Sequence, residues 1–306
     1  MSTSVRAAAA SLRVFLAEMI DYAGFFPPAS LEMMACVSNY SRYLSGPQRW
    51  ALGRFVLPVA RLDEFLNAQE NVAVDPWKFS GIVSANVAAE LAVVGEFNCR
   101  AHGAVMDCVE IRASNKQEID FALRHLPEGV VAFFEILPDQ AGEWLPILQQ
   151  AGAAAKLRAG GVVEDAIPAV ERVAGFIASC AEFGVPFKAT AGLHHPLRCI
   201  HPLTYEANSP KGMMHGFLNL FTAAAIAWSA VRAGGAVPRR VLESCLADGE
   251  RANWHFDESS LTWIGEDEPV RIDLEVLHSM RSEFALSFGS CSFEEPLAAL
   301  HEFGLL

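Results

Sequence analysis

Charged side chains interrupt four short apolar segments near the middle of the chain. These segments are AVMDCVEIRA (104–113), VVAFFEILP (130–138), AAAKLRAGG (153–161) and PFKATAGL (186–193). Each carries a carboxylate or an amine where a buried strand ordinarily has an aliphatic side chain. An amine can attack a carbonyl carbon, and a neighbouring carboxylate can move the protons of such a reaction. The four segments are therefore the first place to look for chemistry.

Residues two apart on a strand share one face of a sheet, and this rule separates the polar side chains from the bulky apolar ones. We predict that one face carries Glu110, Arg112, Glu135, Lys156, Arg158, Lys188 and Thr190. The candidate catalytic residues are Lys156, Lys188, Glu135 and Glu110, and the other three are candidates for substrate binding. A buried ion-pair network without a catalytic role would give the same pattern, although such networks are costly to desolvate.

Lysine is rare in this chain, and its positions are informative. Only five of the 23 basic residues are lysine, yet Lys156 and Lys188 fall in neighbouring predicted strands. Burial and a nearby cation can deprotonate an amine near neutral pH, whereas a guanidinium stays protonated. The placement of these two lysines favours an amine nucleophile.

The predicted polar face has four cations and two carboxylates, so we expect it to bind a small anion such as a carboxylate or phosphate. The loop GLHHPLRCIHP after the last segment adds three candidate binding residues, His194, His195 and Arg198. Arg158 or Arg198 can hold an anion through two N–H groups, and the backbone amides of Gly160 and Gly161 can assist.

The same loop suggests a different chemistry. Its histidines, together with His201, His215 and the glutamates, would suit a metal-assisted hydrolase or lyase. Neither an HxH nor an HExxH spacing is present, so we predict no essential metal and no cofactor.

Short apolar runs alternate with amphipathic stretches from residue 53 to residue 193, which indicates βαβ units and a parallel sheet. Six strands are clear, and 22–26 and 215–221 would supply a first and an eighth. The prediction is one domain over 1–306, a TIM-type (β/α)8 barrel whose C-terminal extension, 237–306, packs on it. An open doubly wound sheet is the alternative fold. A strand at 22–26 would bring Asp21 and Tyr22 to the barrel mouth.

In the C-terminal extension we predict a helix, a hairpin or edge strand at 254–264, and a long helix from Asp273. Cys291 has no evident base nearby in sequence, so it is interpreted as a buried thiol.

Composition limits the function classes. The chain has 52% hydrophobic residues and a net charge of −13, which describes a globular protein and argues against nucleic acid or an anionic membrane as a partner. Seven scattered cysteines without a CxxC motif favour a reducing compartment, so we predict a cytoplasmic protein. The composition is compatible with a homo-oligomer.

The pair KLRAGG and PFKATAGL, separated by a predicted helix, resembles the class I aldolase barrels of the deoxyribose-phosphate aldolase type. The resemblance covers residues 150–195 and implies that Lys156, on the sixth strand, forms the Schiff base and that Lys188, on the seventh, is the neighbouring cation that activates it. Arg158 and Leu193-His194-His195 depart from that pattern. DCVEIRA resembles the glutamate-bearing strand of type I dehydroquinate dehydratases, another Schiff-base barrel.

The leading hypothesis is a lyase of aldolase type that acts on a small anionic carbonyl compound through a lysine imine. A metal-assisted hydrolase or lyase and a non-catalytic small-molecule binder are the alternatives.

Overall fold

The computed structural model describes residues 8–69, 77–100, 103–266 and 268–306. Eight parallel strands close into a barrel, in the spatial order β1-β2-β3-β4-β5-β6-β7-β13. They are Ile20–Tyr22 (β1), Leu52–Pro58 (β2), Trp77–Ile82 (β3), Ala104–Arg112 (β4), Val131–Ile136 (β5), Ala154–Arg158 (β6), Phe187–Thr190 (β7) and Ala285–Ser290 (β13). The predicted α/β barrel is confirmed, and the open doubly wound sheet is excluded.

Helices surround the barrel and connect its strands. They are Ala10–Leu16 (α1), Met33–Leu44 (α2), Leu62–Ala68 (α3), Val87–Arg100 (α4), Lys116–His125 (α5), Ala141–Ala151 (α6), Val170–Phe183 (α7), Phe217–Arg232 (α8), Arg239–Ala247 (α9), Leu274–Glu283 (α10) and Glu294–Glu302 (α11). Local sequence signals explain where several of these helices begin or end. Asn115 caps α5 by accepting a hydrogen bond from the Glu118 amide, and α6 ends at Gly152 with a φ of 65°.

The described residues form five further strands outside the barrel. Cys199–Pro202 (β8) and Lys211–Met214 (β9) form a hairpin between β7 and α8. Trp254–Phe256 (β10), Ser260–Ile264 (β11) and Pro269–Asp273 (β12) form an antiparallel sheet, which confirms the predicted hairpin at 254–264. No described helix is long and apolar enough to cross a bilayer.

The strand faces divide the interior into two parts. Outward-facing Val109, Phe134 and Leu157 belong to the large apolar core between the strands and the helices. The inward-facing residues Cys108, Phe133 and Ala154 form a separate small cluster inside the barrel. Because β4, β5 and β6 continue for several residues beyond this cluster, the next inward positions form a second layer nearer the C-terminal ends.

Two predicted barrel strands were misplaced. Residues 215–221 do not form the eighth strand, because α8 begins at Phe217 and the barrel closes through β13 instead. Every residue of α8 from Phe217 to Ala227 is buried, so the segment lacks the polar stripe that distinguishes a surface helix from a strand. The first strand is Ile20–Tyr22 rather than 22–26.

The long helix of the C-terminal extension is shorter than predicted. The helix predicted from Asp273 does begin there, with Asp273 as its N-cap, but it ends at Glu283. The region 237–306 therefore contributes a barrel strand in addition to α9–α11 and the antiparallel sheet.

Candidate functional site

The C-terminal ends of the barrel strands surround a cavity of about 1370 Å³. This is the end at which barrel enzymes carry their active sites. Most of the predicted site residues line it, namely Glu110, Arg112, Glu135, Lys156, Arg158, Gly161, Thr190, His194, His195 and Arg198. Lys188 and Gly160 are not among its lining residues, and Lys188 lies deeper on the same inward face, where its amine contacts Glu110.

The two lysines are joined through one carboxylate. Lys156 Nζ lies 2.9 Å from Glu110 Oε2 and 2.8 Å from Glu135 Oε2. Lys188 Nζ lies 2.7 Å from Glu110 Oε1. Register explains the meeting, because Lys156 is paired with Glu135 on β5 and with Lys188 on β7. The two amines therefore occupy opposite oxygens of Glu110.

Lys188 is a fixed cation. Burial would lower its pKa, but the carboxylates of Asp21, at 2.7 Å, and Glu110 together raise the pKa above its ordinary value. The Lys188 side chain is only 1% exposed, whereas that of Lys156 is 9% exposed and faces the cavity. Of the two lysines, only Lys156 presents an amine to a ligand.

Both glutamates are ionised. Burial would raise the pKa of Glu110, but the ammonium groups of Lys188 and Lys156 lower it well below its usual range. Burial would also raise the pKa of Glu135, but the Lys156 ammonium outweighs burial, so the pKa of Glu135 is lowered as well. The site thus holds two ionised carboxylates within 2.9 Å of the Lys156 amine.

Asp21 completes this layer from the first strand. It is fully buried, and it accepts hydrogen bonds from Ser287 Oγ and the Arg54 amide, both at 2.7 Å. Gly53 leaves room for it, since a Cβ at that position would overlap Asp21 Oδ1. Asp21 lies inside the barrel rather than at its mouth, while Tyr22 packs in the outer core.

The charge of the inner layer differs from the prediction. With Asp21 it contains two amines, Lys156 and Lys188, and three carboxylates, so it has no positive excess. The uncompensated cations lie nearer the mouth. Arg158 and Arg198 line the cavity, and neither has a carboxylate partner among the described residues. Burial lowers the pKa of Arg198, which is the desolvation that a bound anion would offset.

Arg112 and Thr190 form part of the cavity wall. The Arg112 side chain is 77% exposed, and its Nε lies 3.4 Å from Glu135. Thr190 pairs with Arg158 across β6 and β7 and is half-buried.

Gly160 has a packing role. It is buried, and a Cβ there would lie 3.1 Å from the Cα of Gly192, whose φ is 75°. The loops after β6 and β7 therefore approach each other through two glycines, and only Gly161 of the predicted pair reaches the cavity.

The histidines do not converge. His195 lies against His201, with ring centroids 3.9 Å apart and the rings tilted by 43°. Burial, together with His201 and His194, lowers the pKa of His195 to about 4. His215 is buried, and its Nε2 lies 2.7 Å from the Pro168 carbonyl, away from the cavity. Among the described residues, no group of three or more His, Cys, Asp or Glu side chains is arranged to hold a metal. The absence of an essential metal stays a prediction.

Comparison of the chain with protein-family models, with curated proteins and with solved structures found no match. The site must therefore be interpreted from its own geometry.

Sequence reasoning assigned no functional role to Cys291, which follows β13 directly. Its thiol is buried as predicted, but it lines the cavity, and His194 Nε2 lies 3.9 Å from its Sγ. Recognition of Ala285–Ser290 as the eighth strand would have placed this cysteine at the barrel mouth.

We expect phosphate, sulfate and small carboxylates to raise the melting temperature, and the Arg158→Met variant to lose most of this effect. An anion that binds only the folded state stabilises it by about 2.7 kcal/mol at a hundredfold excess over Kd. Arg158 Nε is held by the Gly160 carbonyl at 3.2 Å, which leaves its terminal N–H groups free for a ligand. Thermal melts at increasing anion concentration measure this effect.

Sodium chloride at matched ionic strength controls for screening, and Arg124→Met on the exposed face of α5 is the matched variant. Equal stabilisation by chloride, or an unchanged response in Arg158→Met, would reject an anion site at Arg158.

Proposed function

We propose that this protein is a lyase that forms an imine between Lys156 and a small anionic carbonyl compound. The observation that carries the proposal is the position of Lys156. Its amine faces a cavity at the C-terminal end of the sixth barrel strand, within 2.9 Å of two ionised carboxylates on neighbouring strands. The resemblance of residues 150–195 to class I aldolases agrees with this role.

Imine formation needs an unprotonated amine, and Glu135 is suited to generate it. Glu135 is 15% exposed and lines the cavity, whereas Glu110 is 3% exposed and already holds both lysines. Glu135 accepts a proton from Lys156, and the free amine attacks the carbonyl carbon. Glu135 then returns this proton to the carbinolamine hydroxyl, which leaves as water and gives the protonated imine. The protonated imine withdraws electrons from the adjacent carbon, so that a carbon–carbon or carbon–hydrogen bond there can break.

Lys188 and Asp21 support this chemistry without contacting the ligand. Lys188 fixes one oxygen of Glu110, so the other oxygen is oriented toward Lys156. Two lysines on neighbouring strands agree with the arrangement that the resemblance implies, although Lys188 here is a cation compensated by Asp21.

The rim cations indicate the substrate class. Arg158 lies two residues beyond Lys156 on the same face of β6, roughly 7 Å farther toward the mouth. The proposed substrate therefore has a short carbon chain, with its carbonyl at Lys156 and a carboxylate or phosphate near Arg158 or Arg198. The seven cysteines are all unpaired, which agrees with the proposed cytoplasmic location.

The metal-assisted alternative has less support, because His215 points away from the cavity and His194 is engaged elsewhere. Among the described residues, no contact specifically favours a non-catalytic binder.

Borohydride reduction in the presence of small aldehydes and 2-oxoacids tests the proposal. We expect a stable mass increase that peptide mapping assigns to Lys156. Lys78, Lys116 and Lys211 are exposed and serve as internal references for non-specific reaction. Labelling confined to these three lysines, or no adduct from carbonyl compounds that raise the melting temperature, would contradict the proposal.

A further inference from the structure

Three side chains from separate parts of the chain meet on one wall of the cavity, apart from the lysine layer. Cys291 follows the eighth barrel strand, His194 lies in the loop after the seventh, and Glu295 lies in the first turn of α11. His194 Nε2 lies 3.9 Å from Cys291 Sγ, and His194 Nδ1 lies 2.8 Å from Glu295 Oε2. All three residues line the cavity.

Cys291, His194 and Glu295 are arranged as a nucleophile, its base and a group that orients the base. Glu295 accepts a hydrogen bond from Nδ1–H of His194, which leaves Nε2 facing the thiol. A separation of 3.9 Å is long for a nucleophile and its base, but such contacts are commonly loose before a ligand binds. The Tyr205 hydroxyl, 3.6 Å from Cys291 Sγ, closes the cluster on the side of the β8–β9 hairpin.

The surroundings of His194 favour its protonated form. Burial would lower the pKa of His194, but its contacts with Cys291 and Glu295 raise the pKa to about 9. The neighbouring His195 is neutral near pH 7, since its pKa is lowered to about 4. A protonated imidazole beside a sulfur atom stabilises the thiolate, which is the reactive form of cysteine.

We infer that Cys291, His194 and Glu295 form a second covalent site, at which Cys291 accepts an acyl group from an ester or thioester. The thiol proton is held on His194 Nε2 while the thiolate attacks the acyl carbon. The bond to the leaving alcohol or thiol breaks, and that group departs with the proton from Nε2. Water then attacks the thioester, returns a proton to Nε2 and releases a carboxylic acid. This inference goes beyond the Lys156 chemistry and rests on different residues.

The chain contains its own reference for thiol reactivity. Cys99 lies on the exposed side of α4, whereas Cys291 is only 5% exposed. Steric access alone would make Cys99 the faster of the two to react. With limiting iodoacetamide at pH 7 and peptide mapping, we expect Cys291 to be alkylated about tenfold faster or more, because His194 Nε2 is placed to take the thiol proton. Alkylation of Cys291 at the rate of Cys99 or more slowly, in the native protein, would overturn the inference.

Variants test the roles of the partners. His194→Gln and Glu295→Gln should each reduce the rate advantage of Cys291 over Cys99, the first to about one or below. Each variant must melt cooperatively, and an undiminished ratio in a folded His194→Gln protein would reject His194 as the activating group.

p-Nitrophenyl acetate tests the acyl chemistry. We expect a burst of one equivalent of nitrophenolate per chain and an acetyl group mapped to Cys291. The burst should disappear in Cys291→Ala and persist in Cys99→Ser. An acetyl group on Lys156 instead, or no burst from the native protein, would overturn the assignment of Cys291 as the acyl acceptor.

Discussion

We expect the Lys156→Arg variant to form no borohydride-stable adduct under conditions that label the native protein. Arginine keeps a positive charge between Glu110 and Glu135, which lie 2.9 and 2.8 Å from the lysine amine. A guanidinium stays protonated near neutral pH and cannot act as the amine nucleophile. The variant should therefore lose the adduct while it remains folded, as intact-mass measurement and a thermal melt would show.

Lys116→Arg is the matched control. Lys116 is exposed on α5 and forms an ion pair with Asp120 at 2.8 Å, so its replacement leaves the cavity unchanged. This control should be labelled as the native protein is. Persistent labelling of Lys156→Arg at Lys188 would show that the imine forms on the buried lysine, and would contradict the role given to Lys156.

The largest effect on stability is expected from Lys188→Met, which should lower the free energy of unfolding by about 3–5 kcal/mol. The substitution leaves two buried carboxylates, Asp21 and Glu110, without the cation that compensates them at 2.7 Å. Met has a similar length, so the loss comes from charge rather than from a cavity. Urea unfolding followed by circular dichroism measures the change.

Lys116→Met is the control variant, because removal of an exposed ion pair lowers the free energy of unfolding by at most about 1 kcal/mol. In the double variant Lys188→Met with Asp21→Asn, one uncompensated charge is removed, so the combined loss should be smaller than the sum of the single losses. A Lys188→Met variant no less stable than Lys116→Met would contradict the buried network.

The sequence by itself determined which face of each central strand is polar. The alternation of side chains is fixed by the backbone, so Glu110 and Lys156 could be assigned to the face opposite Ile111 and Leu157 without a structure. The regular exchange of apolar runs and amphipathic stretches likewise predicted a parallel α/β barrel. These are local properties, and each depends on only a few neighbouring residues.

Local pattern was insufficient where a segment is buried on all sides. Helix α8 is apolar all round for most of its length, so its residues resemble a strand as much as a helix. The true eighth strand, ALSFGS, is rich in small residues, and its identity depends on pairing with β1 and β7.

Only the tertiary structure decided which residues meet. Asp21 and Lys188 are 167 positions apart in the chain, and His194 and Glu295 are 101 apart. Closure of the barrel brings the first strand beside the last, which places Asp21 and Ser287 together. The same closure brings the loop after β7 beside the end of β13, so that His194 meets Cys291. The periodicity of a strand predicts on which face a side chain lies. Which residue it meets across the barrel depends on strand order and register, and these depend on residues far apart in the chain.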